Sequence, residues 1–219
     1  MTVHSQAKLT AGGACDEFGA SMAAPGDING DGIPDLIVGA PARPSSGSSG
    51  GATGAVHILY MSTDGTTLSR VVLSPSSWGA TGPSVVAGAL FGASVAALRH
   101  PGHRWTTLAI GAPGATPSGE VFMIELTDAP PTGRRMQTGG AYPSITAYRT
   151  LLRPQSVAAG AQFGASVAYG ADYDGNGSPE LIVGAPGATP KGMITLNYMD
   201  SGRLRAYRNV EITAAQALP

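Results

Sequence analysis

The chain has 219 residues, only 12% of them charged, and a formal net charge of −1. That length is enough for a sizeable core, and the sparse, balanced charge excludes a nucleic-acid surface, which needs a basic stripe. Leu, Ile and Val recur in short periodic runs among 32 glycines and 17 prolines, which describes a turn-rich fold and not a disordered chain.

Residues 1–17 hold a candidate strand at Ala7–Thr10, a Gly-Gly pair, Cys15 and the acidic pair Asp16 and Glu17. The stretch MTVHSQAKLTAGGAC contains no apolar core of the signal-peptide type, so it is not read as a signal peptide. Cys15 is the sole cysteine. It is read as a small, partly buried residue, and alternatively as a thiol that pairs between chains. The least polar stretch, Val85–Leu98, is too short for a membrane span.

Phe18–Ala23 is predicted as a short strand of small residues, and Leu36–Val38 as a strand buried on both faces. Ala42–Thr53, rich in Ser and Gly, is a surface loop. Ala55–Met61 and Ser69–Leu73 supply a third and a fourth strand. The same order returns at Phe91–Leu98, Leu108–Ile110, Glu120–Leu126 and Ile145–Leu152. It returns again at Phe163–Tyr169, Leu181–Val183, Met193–Tyr198 and Leu204–Thr213. Asp128–Pro143 is the longest connection.

The repetition is explicit. Residues 18–41 read FGASMAAPGDINGDGIPDLIVGAP, 91–113 read FGASVAALRHPGHRWTTLAIGAP, and 163–186 read FGASVAYGADYDGNGSPELIVGAP. Phe91 follows Phe18 by 73 residues and Phe163 follows Phe91 by 72. The residues before Phe18 and after Phe163 together make one more period, so residues 1–17 are expected to complete the blade of the last repeat. Four short antiparallel strands per repeat, with the same loop at the same place in each, point to β-propeller blades and not to a sandwich. The whole chain is read as one array.

Two loops carry chemistry. Asp27, Asn29, Asp31 and Asp35 stand at positions 1, 3, 5 and 9 of a tight loop whose glycines allow sharp turns. Alternate side chains can point at one centre, and Ile33 at position 7 offers its backbone carbonyl. Ca²⁺ takes about six to eight oxygens in loose geometry, which this set can largely supply. The match to a helix-flanked Ca²⁺ loop is partial. Position 12 is Val38, so Asp35 must provide the last ligand. The third repeat repeats the pattern with Asp172, Asp174, Asn176, the carbonyl of Ser178, and Glu180. The competing reading, an acidic turn closed by Asx hydrogen bonds, weakens when the loop occurs twice at the same place. Asn176-Gly177-Ser178 is formally a glycosylation sequon and is read as part of the ligand set.

In the second repeat the span His100–Thr107 offers no carboxylate, and no Ca²⁺ is expected there. His100, His103 and Arg104 beside Trp105 suggest a small cationic patch. A degenerate loop packed by its own side chains is the preferred reading, because two histidines are too few for zinc. No GxxxxGK[ST] or HExxH motif occurs, and no nucleophile–base constellation is evident.

Phe-Gly and Gly-Ala-Pro, recurring as Phe18-Gly19 with Gly39-Ala40-Pro41, Phe91-Gly92 with Gly111-Ala112-Pro113 and Phe163-Gly164 with Gly184-Ala185-Pro186, resemble the FG-GAP repeat family. These are the blades of the integrin alpha-subunit propeller. The resemblance implies Ca²⁺ in the first-to-second strand loops, an extracellular or cell-surface setting, and a structural or adhesive role without catalysis. Similar repeats also serve as accessory modules of secreted enzymes and lectin-like proteins. A carbohydrate- or peptide-binding alternative rests on the long loops and on Trp78, Trp105 and Tyr142. Three blades fall short of the roughly four to eight that close a propeller. Completion is therefore expected, by two copies forming one six-bladed ring, by head-to-tail contacts in a fibre, or within a larger propeller.

Overall fold

The computed structural model describes residues 17–41, 53–75, 87–100, 105–127, 144–151, 153–200 and 204–213. These form twelve strands: β1 (Ser21–Gly26), β2 (Asp35–Ala40), β3 (Ala55–Met61), β4 (Thr67–Leu73), β5 (Ser94–Arg99), β6 (Trp105–Ala112), β7 (Glu120–Thr127), β8 (Ser144–Thr150), β9 (Ser166–Tyr169), β10 (Leu181–Ala185), β11 (Met193–Met199) and β12 (Ala206–Thr213). They make three antiparallel meanders, β1-β2-β3-β4, β5-β6-β7-β8 and β9-β10-β11-β12, one blade per repeat. All four strands of the third blade fall within 166–213. The N-terminal segment expected to complete that blade lies outside the described residues apart from Glu17. So do Ala7–Thr10, Cys15, Trp78, the loop after Pro41, and Asp128–Pro143. Among the described residues no helix is long and apolar enough to cross a membrane.

The blades stand side by side through their first strands, β1 against β5 and β5 against β9. The core therefore lies between blades. One apolar cluster joins Ile37, Val56 and Ile58 of the first blade to Leu108, Ile110 and Phe122 of the second. Another joins Ala109, Val121 and Met123 of the second to Leu181 and Val183 of the third. Alternation along β6 and β7 sends successive side chains to opposite faces, so the middle blade is buried on both. That is why the central parts of β6 and β7 read as apolar runs.

The strands begin later than the Phe-Gly motifs suggest. Phe18, Phe91 and Phe163 each sit in a β-turn ahead of the strand. The amide of Ala20 donates to the carbonyl of Glu17 at 3.1 Å, that of Ala93 to Leu90 at 3.0 Å, and that of Ala165 to Gln162 at 3.0 Å. The glycine at the third turn position has φ of 96°, 90° or 88°, a conformation that a type II turn requires and glycine adopts without strain. The turn aims its phenylalanine back at the preceding blade. Phe91 and Phe163 are fully buried there.

The preceding blade is shaped to receive that turn. The Phe91 amide donates to the Thr53 carbonyl at 2.9 Å, and the Phe163 amide to the Ser118 carbonyl at 2.7 Å. The Ser21 hydroxyl donates to the carbonyl of Gly92 at 2.8 Å, and the Ser94 hydroxyl to that of Gly164 at 2.7 Å. The glycine of each Gly-Ala-Pro motif lies directly beneath. A Cβ on Gly39 would stand 2.0 Å from the Gly92 carbonyl oxygen, and one on Gly111 2.0 Å from that of Gly164. No side chain fits in either place. The two motifs thus form the two halves of one inter-blade joint.

Candidate metal centre

Both acid loops link the first strand of a blade to the second, as the repeat places them, and they share one hydrogen-bond scheme. In the first loop Asp27 accepts from the amides of Gly30 at 2.6 Å and Gly32 at 2.8 Å. In the third repeat Asp172 accepts from Gly175 and Gly177, both at 2.8 Å. These amides hold the Asp172 carboxyl below the usual carboxylate range, with the Gly177 bond contributing most and partial desolvation opposing. Asp31 accepts from the Ile33 amide at 2.8 Å, and its counterpart Asn176 accepts from the Ser178 amide at 2.8 Å. Asn29 and Asp174 each take the amide two residues on, from Asp31 at 3.1 Å and Asn176 at 3.0 Å. These are Asx turns. Every ligand candidate is held in place by the backbone of its own loop.

The loops differ at the ninth position. Asp35 is fully buried and both its oxygens are used. Oδ2 accepts from the Ile28 amide at 2.8 Å and Oδ1 from the Met61 amide at 3.1 Å. Burial raises its pKa, these two bonds oppose that, and the charges of Asp31 and Asp27 add to the rise. Glu180 is also fully buried. One oxygen accepts from the Tyr173 amide at 3.2 Å, while buried Oε1 has no hydrogen-bond partner. An uncompensated buried carboxylate oxygen is costly.

Among the described residues, one set of three acidic or metal-ligating side chains has ligand atoms all within 4.8 Å of one another. It is Asp172, Asp174 and Glu180. Gathering three carboxylates favours a cation. The unpartnered Oε1, the side-chain oxygen of Asn176 and the buried Ser178 make this loop a fit for a hard divalent ion with oxygen ligands. The first loop holds Asp27, Asn29, Asp31, Ile33 and Asp35 in equivalent positions, with Asp35 turned onto backbone amides.

Two contacts fasten the third-repeat loop to the far side of its blade, and the linear spacing carries no signal for either. The Asn176 side-chain Nδ2 donates to the Met199 carbonyl at 2.9 Å. The hydroxyl of Tyr207, on β12, donates to Asp174 Oδ2 in a very short contact. That bond is the main reason the Tyr207 pKa is raised.

In the second repeat the loop closes differently. His100 Nε2 and Thr107 Oγ1 lie 2.9 Å apart, and the imidazole tilts against half-buried Trp105 with centroids 6.1 Å apart. His103 and Arg104 lie outside the described residues, as does Tyr142.

Comparison with known proteins follows the same division. The family model described as FG-GAP repeat matches residues 18–59 and 163–196. These are the two repeats that keep their acid loops. Integrin alpha-PS5 of Drosophila melanogaster is 31% identical over 179 residues, covering 78% of this chain. The chain spans 15% of the length of that relative. With matched repeats in its first and third blades and the same four-strand meander in all three, the chain carries FG-GAP repeats, and its blades resemble those of an integrin-alpha-like β-propeller.

Proposed function

We propose that this chain is a non-enzymatic, Ca²⁺-stabilised propeller module with a structural or adhesive role outside the cell. The observation that carries the metal reading is Glu180, whose buried, unpartnered Oε1 belongs to the cluster with Asp172 and Asp174. Asp172, Asp174, Asn176, the Ser178 carbonyl and Glu180 would hold the ion. The equivalent set in the first repeat is Asp27, Asn29, Asp31, the Ile33 carbonyl and Asp35, while the second-repeat loop has no such ligands. Bound Ca²⁺ neutralises the gathered carboxylates and cross-links the loop. The loop residues in turn position the oxygens through their backbone amides and tie the loop to β11 and β12. The extracellular setting and the adhesive role are supported by the FG-GAP repeat match and by the integrin relative.

The test is thermal melting in EDTA and in millimolar Ca²⁺. A ligand at about 100 times its Kd stabilises the native state by about 2.7 kcal/mol, so Tm should rise by several degrees. Glu180→Gln should remove most of that rise while leaving the EDTA melt close to wild type. Equal melts of the wild-type chain in EDTA and Ca²⁺, with no heat of Ca²⁺ binding by calorimetry, would sink the reading.

A further inference from the structure

The third blade carries the receiving half of the inter-blade joint, and none of the described residues of another blade docks on it. In the first two blades this half consists of a serine, the Gly-Ala-Pro glycine, the glycine before the third strand, and apolar side chains of the second, third and fourth strands. Gly39, Gly111 and Gly184 pair with Val56, Val121 and Ile194 in equivalent register. Val56 and Val121 are fully buried under the next blade's turn, whereas Ile194 is 42% exposed. Two residues back along the second strand, on the same face, Ile37 and Ala109 are fully buried, and Ile182 is half-exposed. Leu73 and Leu151 beside the valines are buried, and Ile212 beside Ile194 is half-exposed.

The backbone shows the same vacancy in its close approaches. A Cβ on Gly54 would meet the Phe91 carbonyl oxygen at 2.1 Å, and one on Gly119 that of Phe163 at 2.3 Å. On Gly192 the nearest atom is 3.3 Å away and belongs to Pro186 of the same blade. A Cβ on Gly184 would meet only the side chain of Ser166 inside 3.6 Å, where Gly39 and Gly111 also meet a carbonyl of the next blade. Ser166, unlike half-buried Ser21 and buried Ser94, is exposed. These residues line a groove of about 530 Å³ that includes Ser166, Gly184, Gly192, Ile194 and Ile212.

The complementary half stands at the other end of the array. The turn Glu17-Phe18-Gly19 has the same hydrogen bond and the same positive φ values as the two docked turns. Phe18 is only half-buried, edge-on to His57 at 5.2 Å, and Gly19 is exposed with no atom within 4 Å of its Cβ position. We propose that the groove on the third blade is a docking site for the Phe18-Gly19 turn of a second copy of this chain. The contact would repeat the two internal joints. The Phe18 amide would donate to the Lys191 carbonyl, the Ser166 hydroxyl to the Gly19 carbonyl, and the Phe18 ring would cover Ile194. Socket and turn are different surfaces, so the contact is heterologous. It closes a ring or extends a fibre according to the rotation between copies.

Light scattering of the 219-residue chain over a range of concentrations should show assemblies larger than a monomer. Gly184→Ala puts a methyl group where the docked carbonyl must lie, and should weaken association by about tenfold or more while the fold, followed by circular dichroism, is kept. Phe18→Ala should do the same from the other side. Mixing the two variants should restore a complex with one copy of each, since one keeps the turn and the other keeps the socket. A wild-type chain that stays monomeric at every concentration overturns the proposal, and so does association unchanged in Gly184→Ala. If Phe18→Ala does not fold, Ile194→Asp on the exposed socket supplies the second variant, and undiminished association there also overturns it.

Discussion

At the scale of single residues, the two ninth-position carboxylates differ in how their buried oxygens are partnered. Asp35 and Glu180 are both fully buried, and both carboxylates are expensive to bury. Asp35 is compensated by the amides of Ile28 and Met61, which join the loop to the end of β3. Replacing it by alanine strands two donors, each costing about 1–3 kcal/mol when buried. Asp35→Ala should therefore lower the urea-unfolding free energy by about 2–4 kcal/mol even in EDTA. Asp35→Asn, which keeps one acceptor, should cost less. Glu180 has one such amide and an unpartnered oxygen, so its removal should register chiefly in the response to Ca²⁺. If both alanine variants lose the same stability in EDTA, the distinction between the two positions does not hold.

At the scale of elements, much of the blade is legible in the residues, and the parts that are not have a common cause. β3 falls at Ala55–Met61 as read from its apolar run, and β2, β7 and β10 extend their predicted cores by only a few residues. The acid loops are legible because most of their spacing is local: Asp27 and Asp172 are fixed by amides three to five residues away, and the ninth-position acids reach farther. The Phe-Gly motifs read as strand beginnings because alternation does not reveal a positive φ. Phe91 and Phe163 are buried against the preceding blade, their amides bonded to the carbonyls of Thr53 and Ser118, and the serine of the same joint meets a glycine 70 residues away. Tyr207 escapes for the same reason, since its partner Asp174 is 33 residues away. Glu120, opening β7 beside the second joint, shows what such placement does to a charge. Its pKa is raised from 4.5 by burial, with Arg153 pulling the other way. An acid with a raised folded pKa favours the native state when protonated, and that advantage is lost as pH rises through the folded value. Glu120→Gln should then raise Tm near neutral pH, with the gain fading as pH falls toward 4.5. A gain that persists unchanged in acid would assign the effect to something other than the charge.

At the scale of the whole molecule, stability resides in the joints, because the two main apolar clusters straddle them and no main cluster belongs to one blade alone. A stack of repeats that contact only their neighbours behaves as a one-dimensional array, cooperative while the interfaces are strong. The wild-type chain should therefore melt as one unit, and Ca²⁺ bound at the third-blade loop should move the whole transition. Gly111→Ala tests this coupling. Its new methyl group would stand 2.0 Å from the Gly164 carbonyl oxygen, a backbone atom that cannot step aside, and overpacking of this kind costs about 1–3 kcal/mol or more. The cost falls wholly on the joint between the second and third blades. Calorimetry of Gly111→Ala should show the third blade melting separately at lower temperature, with Ca²⁺ shifting mainly that lower transition. Gly184→Ala, whose methyl group meets inside 3.6 Å only the movable Ser166 side chain of its own blade, should keep one transition when measured at concentrations too low for association. If Gly111→Ala melts as a single unit with wild-type cooperativity, the blades are coupled through contacts other than the Phe-Gly joint. In that case the loss of one joint would leave the Ca²⁺ effect spread over the whole chain.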